Sequence, residues 1–420
     1  MNRIQLLITT LLTGLVSTMS TATIAQTPLS PPSFATLDQR AKDGDALSVV
    51  FFGGSLTWGA NASDPNVTSY RGRMMQYLRE QYPNARWQFH DAAIGGTGSN
   101  LGIFRLERDV LAHNPDLVFL DFMANDNYSG KDNETRSCYE TLVRTMVEQG
   151  IAVQQMYFGF KFQFTEDGYN LDEFTRRTDY QKLTKAYNLA EGDIYPLIHD
   201  SLKTGKETLD TLWPFDGAHP GNLGYGYFFE AARLGFEQAI AEDRQNRLPD
   251  EPLFGVMSHI QRIRLAELEL PAGWSVSKTY RTSLWYDGLS SRWMDDVVKY
   301  EAKDMNEIVP LKVEFVGQVI GFFGESNHQG LDFTVTVDGT LLPYINNKIS
   351  QPNWPYTMRH GEGNLFAWKQ QYTQLSDQKH VLEIMPLISD PASKGTLRIE
   401  SLCAAIYQPA AAFAEPDVSE

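Results

Sequence analysis

Ala46-Leu-Ser-Val-Val-Phe-Phe-Gly-Gly54, followed at once by Ser55, decides the fold. A short run this rich in Val and Phe has the pattern of a strand buried on both faces, and such strands belong to parallel sheets covered by helices. The two glycines let the chain bend sharply and approach a ligand closely. Downstream the unit repeats. Met75, Leu78 and Tyr82 fall three and four apart, predicting a helix over 69–81. The same reading gives a strand at 87–93, a helix at 101–113, a second buried strand at 116–123 and a helix at 134–149. It then gives a strand at 151–158, a helix at 180–190, a short strand near 193–197 and a closing helix at 224–242. Repeated βα units imply an α/β fold of three layers, a parallel sheet with helices on both faces. Ligands bind such sheets where loops leave the carboxyl ends of the strands.

The pattern changes after residue 245. A polar stretch containing Leu248-Pro-Asp-Glu-Pro252 reads as a linker, at 246–255. Beyond it helix-period segments nearly vanish. Runs at 311–323, 331–337, 379–385 and 396–406 read as strands, with Asp338-Gly339 a hairpin-turn signal. The expected organisation is an α/β domain over 33–245, a β-sandwich over 256–408 and a loose tail over 409–420.

Residues 1–25 read as a cleavable export signal. Arg3 supplies a positive start, 4–16 a short apolar core, and Thr23-Ile24-Ala25 small residues for cleavage. That core is too short to span a bilayer comfortably. The mature protein is expected to be secreted or periplasmic and soluble, with no membrane partner. The 36 basic and 52 acidic side chains leave a net charge of −16. Such a surface repels phosphates, so no nucleic-acid partner is expected. Cys138 and Cys403 read as two buried free thiols, and no Cys/His spacing suggests zinc.

Four stretches carry chemistry, each at a strand end or loop. Ser55 follows Gly53-Gly54 on a tight turn where a hydroxyl can face solvent, although a serine there also reads as a helix cap. Gly95-Gly96-Thr-Gly98 follows the next strand; its backbone N–H groups could hold an oxyanion, or it is simply a turn. Asn125 in Met123-Ala-Asn-Asp-Asn127 could donate to the same oxyanion, or close an Asx turn. Asp216-Gly-Ala-His219 puts a carboxylate and an imidazole three apart, close enough to fix a histidine tautomer and leave the other nitrogen basic. Taken singly, each has a structural explanation.

Their joint order on successive strand ends resembles the SGNH hydrolase superfamily, the GDSL-type esterases and lipases, over roughly 46–232. The resemblance implies Ser55 as nucleophile, His219 as general base and Asp216 as its orienting partner. It implies an oxyanion hole from the Ser55 N–H, Gly96 and Asn125, and requires no metal or organic cofactor. Two departures stand out: the family's Gly-Asp-Ser reads Gly53-Gly54-Ser55, and its Gly-x-Asn-Asp reads Met123-Ala124-Asn125-Asp126.

An exported acidic esterase with a β-sandwich resembles the secreted carbohydrate esterases, which implies acetylated carbohydrate as substrate. A lipase or lysophospholipase, and a non-catalytic polysaccharide-binding protein, are the alternatives. The second domain's aromatics (Trp274, Tyr280, Trp285, Tyr286, Trp293, Trp354, Tyr356) read singly as filling the sandwich core, and as a group as packing the two domains together before stacking on sugar rings. Asn61-Ala-Ser63, Asn66-Val-Thr68, Asn127-Tyr-Ser129 and Asn133-Glu-Thr135 match the N-glycosylation pattern, and two of them flank the expected active-site loops. Glycans there would obstruct substrate, so export without N-glycosylation, from a bacterium, is expected.

Overall fold

The computed structural model describes residues 33–129, 133–164, 175–280, 293–301, 308–344, 355–361, 365–388 and 395–411. The expected export signal, Trp285, Tyr286, Trp354 and the end of the tail lie outside the described residues. In chain order the first half contains α1 (Phe34–Lys42), β1 (Ala46–Gly53), α2 (Ser55–Trp58), α3 (Tyr70–Gln81) and β2 (Arg86–Ala93). Then come α4 (Ser99–Asp109), β3 (Leu117–Asp121), α5 (Met123–Ser129), α6 (Asn133–Glu148) and β4 (Ala152–Tyr157). α7 (Thr175–Tyr187), β5 (Ala190–Asp193), α8 (Ile194–Lys203), α9 (Leu209–Leu212) and α10 (Asn222–Ala241) complete it.

Among the described residues the five strands form one sheet in the order β2-β1-β3-β4-β5, every pairing parallel. α1, α3, α8 and α10 pack together on one face, and α4 and α6 pack together away from them. β1, β3 and β4 are buried nearly throughout, as Val- and Phe-rich strands covered on both faces must be. The expected α/β architecture is present, with three local corrections. The helix expected over 101–113 breaks at Val110 into α4 and a 3₁₀ turn, Leu111–His113. The strand expected at 193–197 is instead β5, ending at Asp193, because the Asp193 side chain accepts from Tyr195 N–H and caps α8. The strand expected at 116–123 stops at Asp121, and Asn125 lies on α5 rather than in a loop.

The second half is antiparallel. It comprises β6 (Gly255–Arg264), β7 (Trp274–Ser277), β8 (Val297–Glu301), β9 (Leu311–Val316), β10 (Val319–Ser326) and β11 (Asp332–Val337). β12 (Thr340–Leu341), β13 (Tyr356–Thr357), β14 (Leu365–Tyr372), β15 (Lys379–Leu387) and β16 (Thr396–Pro409) follow. One sheet runs β14-β10-β16-β8-β7 with β6 on β16, the other β12-β11-β15-β9 with β13 on β11. The single run expected at 311–323 is two strands. Gly317, at φ 137° and within 2.4 Å of Ala405 O from where a Cβ would sit, turns the chain between them. Asp338 and Gly339 both adopt positive φ, making the hairpin turn that the dipeptide predicts.

β10 shows how the halves meet. Its Ile320 and Phe322 enter the core between the two antiparallel sheets, whereas Val319 and Phe323 enter the core shared with α4 and α6. The sheet is therefore apolar on both faces. Trp293 joins this shared core, while Trp274 and Tyr356 fill the sandwich interior. The stretch expected as a linker is strapped down: buried Asn246 accepts from Val153 N–H and donates to Asn188 O. Buried Glu140 on α6 accepts from Leu253 and Phe254 N–H, both at 2.7 Å. Cys138 and Cys403 are both buried and are not disulfide-bonded.

Candidate active site

β1 delivers its last residue, Gly53, to the carboxyl edge of the sheet, and Ser55 opens the short helix α2. A Cβ on Gly54 would lie 2.4 Å from Asn125 Oδ1. A side chain at position 54 would therefore require the Asn125 amide to shift.

Residues 164 apart in sequence then meet. His219, in the loop before α10, places Nε2 2.9 Å from Ser55 Oγ, and its Nδ1 lies 3.2 Å from Asp216 Oδ2. Asp216 Oδ1 accepts from the Ala218 and His219 N–H groups, each at 2.7 Å, and Oδ2 accepts from Asn61 Nδ2 at 2.8 Å. Burial alone would raise this carboxyl, but the bonds from His219, Ala218 and Asn61 outweigh it and hold it below the usual range. A carboxylate at Nδ1 favours the tautomer with Nδ1 protonated, leaving the Nε2 lone pair for the serine proton.

The turn that holds Gly96 and the helix that holds Asn125 both approach Gly54: a Cβ there would lie 3.4 Å from Thr97 O and 2.4 Å from Asn125 Oδ1. Gly96 is exposed at φ 74°, a conformation suited to glycine. Half-buried Asn125 rises from the first turn of α5 against Gly54. Asp126, fully buried, ties these elements together by accepting from Ser99 N–H at 2.9 Å and from Tyr180 OH at 2.5 Å. Burial raises its carboxyl to about 6 despite those bonds. Beneath them Arg105, also buried, donates to Ala92 O at 2.6 Å and Gly53 O at 3.1 Å, clasping the ends of β2 and β1. Burial lowers its guanidinium to about 10, which still leaves it charged at neutral pH. The sequence reading assigned no supporting role to Asn61, Arg105 or Asp126, because the partners of each lie far away in the chain.

A second serine, histidine and aspartate meet in the β half, with a different outcome. His380 Nδ1 lies 2.6 Å from Asp338 Oδ2, but Nε2 lies 3.1 Å from the Ser376 carbonyl as well as 3.2 Å from its Oγ. Bonding to Asp338 raises this imidazole above its ordinary value. A ring donating to a carboxylate and a carbonyl has no lone pair left for a hydroxyl proton. This trio pins a turn. Among the described residues no group of three or more His, Cys, Asp or Glu side chains could hold a metal ion, and no helix is long and apolar enough to cross a membrane.

Residues 51–227 match the model of the GDSL-like Lipase/Acylhydrolase family. The resemblance to the SGNH hydrolases holds. The reaction class of this SGNH-like half is carboxylic ester hydrolysis. A two-domain esterase (CEX) active on acetylated mannans, co-crystallised with mannopentaose, shares the fold at 19% identity. The match covers 88% of this chain and 93% of that one, with a TM-score of 0.66. Axe2, an acetylxylan esterase from Geobacillus stearothermophilus, is 22% identical over 46% of this chain and 96% of its own, with a TM-score of 0.37. No curated protein matches in sequence.

Proposed function

We propose that the protein is an exported serine esterase that removes O-acetyl groups from a polysaccharide or oligosaccharide. The observation that carries the mechanism is the 2.9 Å contact between His219 Nε2 and Ser55 Oγ, with Asp216 on the opposite ring nitrogen. His219 takes the hydroxyl proton as Oγ attacks the ester carbonyl. The negative oxygen of the tetrahedral intermediate is held by Ser55 N–H, Gly96 N–H and the Asn125 amide. The bond to the sugar oxygen then breaks as His219 gives that oxygen the proton, so the sugar leaves with a free hydroxyl and acetyl stays on Ser55. Water, deprotonated by His219, attacks this acyl-enzyme and releases acetate, restoring Ser55. Every proton is returned, so the chain's own residues complete the cycle.

Support for the carbohydrate substrate comes from the two-domain mannan esterase, whose fold extends through both halves of this chain. Support for export comes from Arg3, the apolar run at 4–16 and Thr23-Ile24-Ala25. Acetate release should be measured on acetylated mannan, xylan, xyloglucan, pectin and chitin oligomers, beside acetyl and octanoyl esters of one chromophore. Rapid acetyl release, lost in Ser55→Ala and in His219→Ala with folding intact, is the expected result. Near-normal turnover by Ser55→Ala would refute the mechanism, and preference for octanoyl esters would point to a lipase instead.

A further inference from the structure

The segment just after the nucleophile helix reaches across to the histidine loop. Ala60 O accepts from Tyr225 OH at 2.7 Å, Ser63 N–H donates to Asn222 Oδ1 at 2.9 Å, and Asn222 Nδ2 donates back to Ser63 Oγ at 2.8 Å. At its centre is Asn61. The Asn61 Nδ2 group donates to Asp216 Oδ2 at 2.8 Å and to His219 O at 3.1 Å. The backbone of Asn61 sits at φ 68°, which asparagine, aspartate and glycine tolerate and most residues do not. One residue thus holds both the carboxylate and the main chain of the loop that carries His219, from the segment that follows Ser55.

We infer that Asn61 is a positioning residue of the catalytic group, fixing Asp216 Oδ2 opposite His219 Nδ1. The inference rests on the Ser55–His219–Asp216 reading. Without the amide, Asp216 keeps its two backbone donors on Oδ1, but Oδ2 loses the partner that directs it, and the imidazole loses its alignment toward Ser55. Chemistry should suffer and substrate affinity should not, because Asn61 lies behind the carboxylate, away from the serine. A glycan on Nδ2, as the Asn61-Ala-Ser63 sequon would permit in a glycosylating host, would replace the same donor.

Two variants test this while respecting the positive φ. Asn61→Gly removes the amide; kcat should fall about tenfold to a hundredfold, with KM within about twofold of the parent. Asn61→Asp keeps the shape and adds a charge beside Asp216. Tyr225 is also sensitive to Asp216, and burial keeps it protonated; the charged groups nearest this segment are Arg71, which donates to Trp58 O, and Arg73, which donates to Asn222 O. The added carboxylate favours the imidazolium, and the acid limb of the kcat/KM profile should move up by about one pH unit. A structural role alone would lower thermal stability and leave that limb in place. An Asn61→Gly enzyme with kcat within twofold of the parent, or Asn61→Asp with an unshifted limb, overturns the inference. If Asn61→Gly does not fold, the Asn61→Asp profile decides. An active Ser55→Ala would instead overturn the triad itself, so the two failures are distinguishable.

Discussion

Asp121 closes β3 directly beneath the Ser55 turn, where Gly54 N–H donates to its carbonyl and Thr57 Oγ1 to its carboxyl at 2.8 Å. The side chain is fully buried. Burial raises its carboxyl from 3.8 to about 7 against the Thr57 bond, with the nearby Asp126 charge adding to the rise. Between those values the folded protein holds a proton that the unfolded chain has released, so stability falls as pH climbs through the window. About three pH units at roughly 1.4 kcal/mol each give a cost of about 4 kcal/mol, fully felt above pH 7. Asp121→Asn keeps an acceptor for Thr57 Oγ1 and carries no charge at any pH. Urea unfolding of parent and variant from pH 4 to pH 8.5 should therefore show the variant gaining on the parent by about 4 kcal/mol as pH rises. The two curves should nearly meet at the acid end. A stability gap that stays constant across the series would refute the reasoning, since a packing or hydrogen-bond effect does not titrate.

Two further outcomes are expected. Asn125→Ala should lower kcat about a hundredfold or more, with the thermal midpoint little changed, if its amide holds the oxyanion as proposed; steady-state kinetics on an acetyl ester checks this. His380 is raised by its bond to Asp338, so its stabilisation is present below about pH 6.5 and lost as pH rises through the raised value. His380→Gln should therefore cost more thermal stability at pH 5.5 than at pH 8.5, and an equal cost at both would count against the ion pair.

The sheet was legible because its central strands carry one-dimensional signals: Val- and Phe-rich runs ending in glycine at Gly53-Gly54, and an Asp-x-x-His turn before a long amphipathic helix. Ser55 and His219 could be paired only by order along the chain, and the structure brings them to hydrogen-bond distance. Asn61, Arg105 and Asp126 were invisible because each acts on a partner distant in sequence, Arg105 on Gly53 and Asn61 on Asp216. α5 was missed because Met123-Ala-Asn-Asp-Asn127 is rich in residues that favour turns. In the β half, β6 and β14 were missed because their residues are mostly part-exposed and follow no strict alternation. The run at 311–323 concealed a turn for the opposite reason, since β10 is buried on both faces and reads as continuous hydrophobicity.

That doubly covered sheet bears on how the protein can be taken apart. A strand that gives alternate side chains to two different interiors leaves neither half with a surface of its own. Severing the chain near residue 250 would strip an apolar layer from α4 and α6 and expose its mate on β10 and β16, inviting each fragment to stick to itself. The β half is thus less a detachable appendage than a missing wall of the hydrolase, and exchange of that module between enzymes would have to carry the matching helix faces with it.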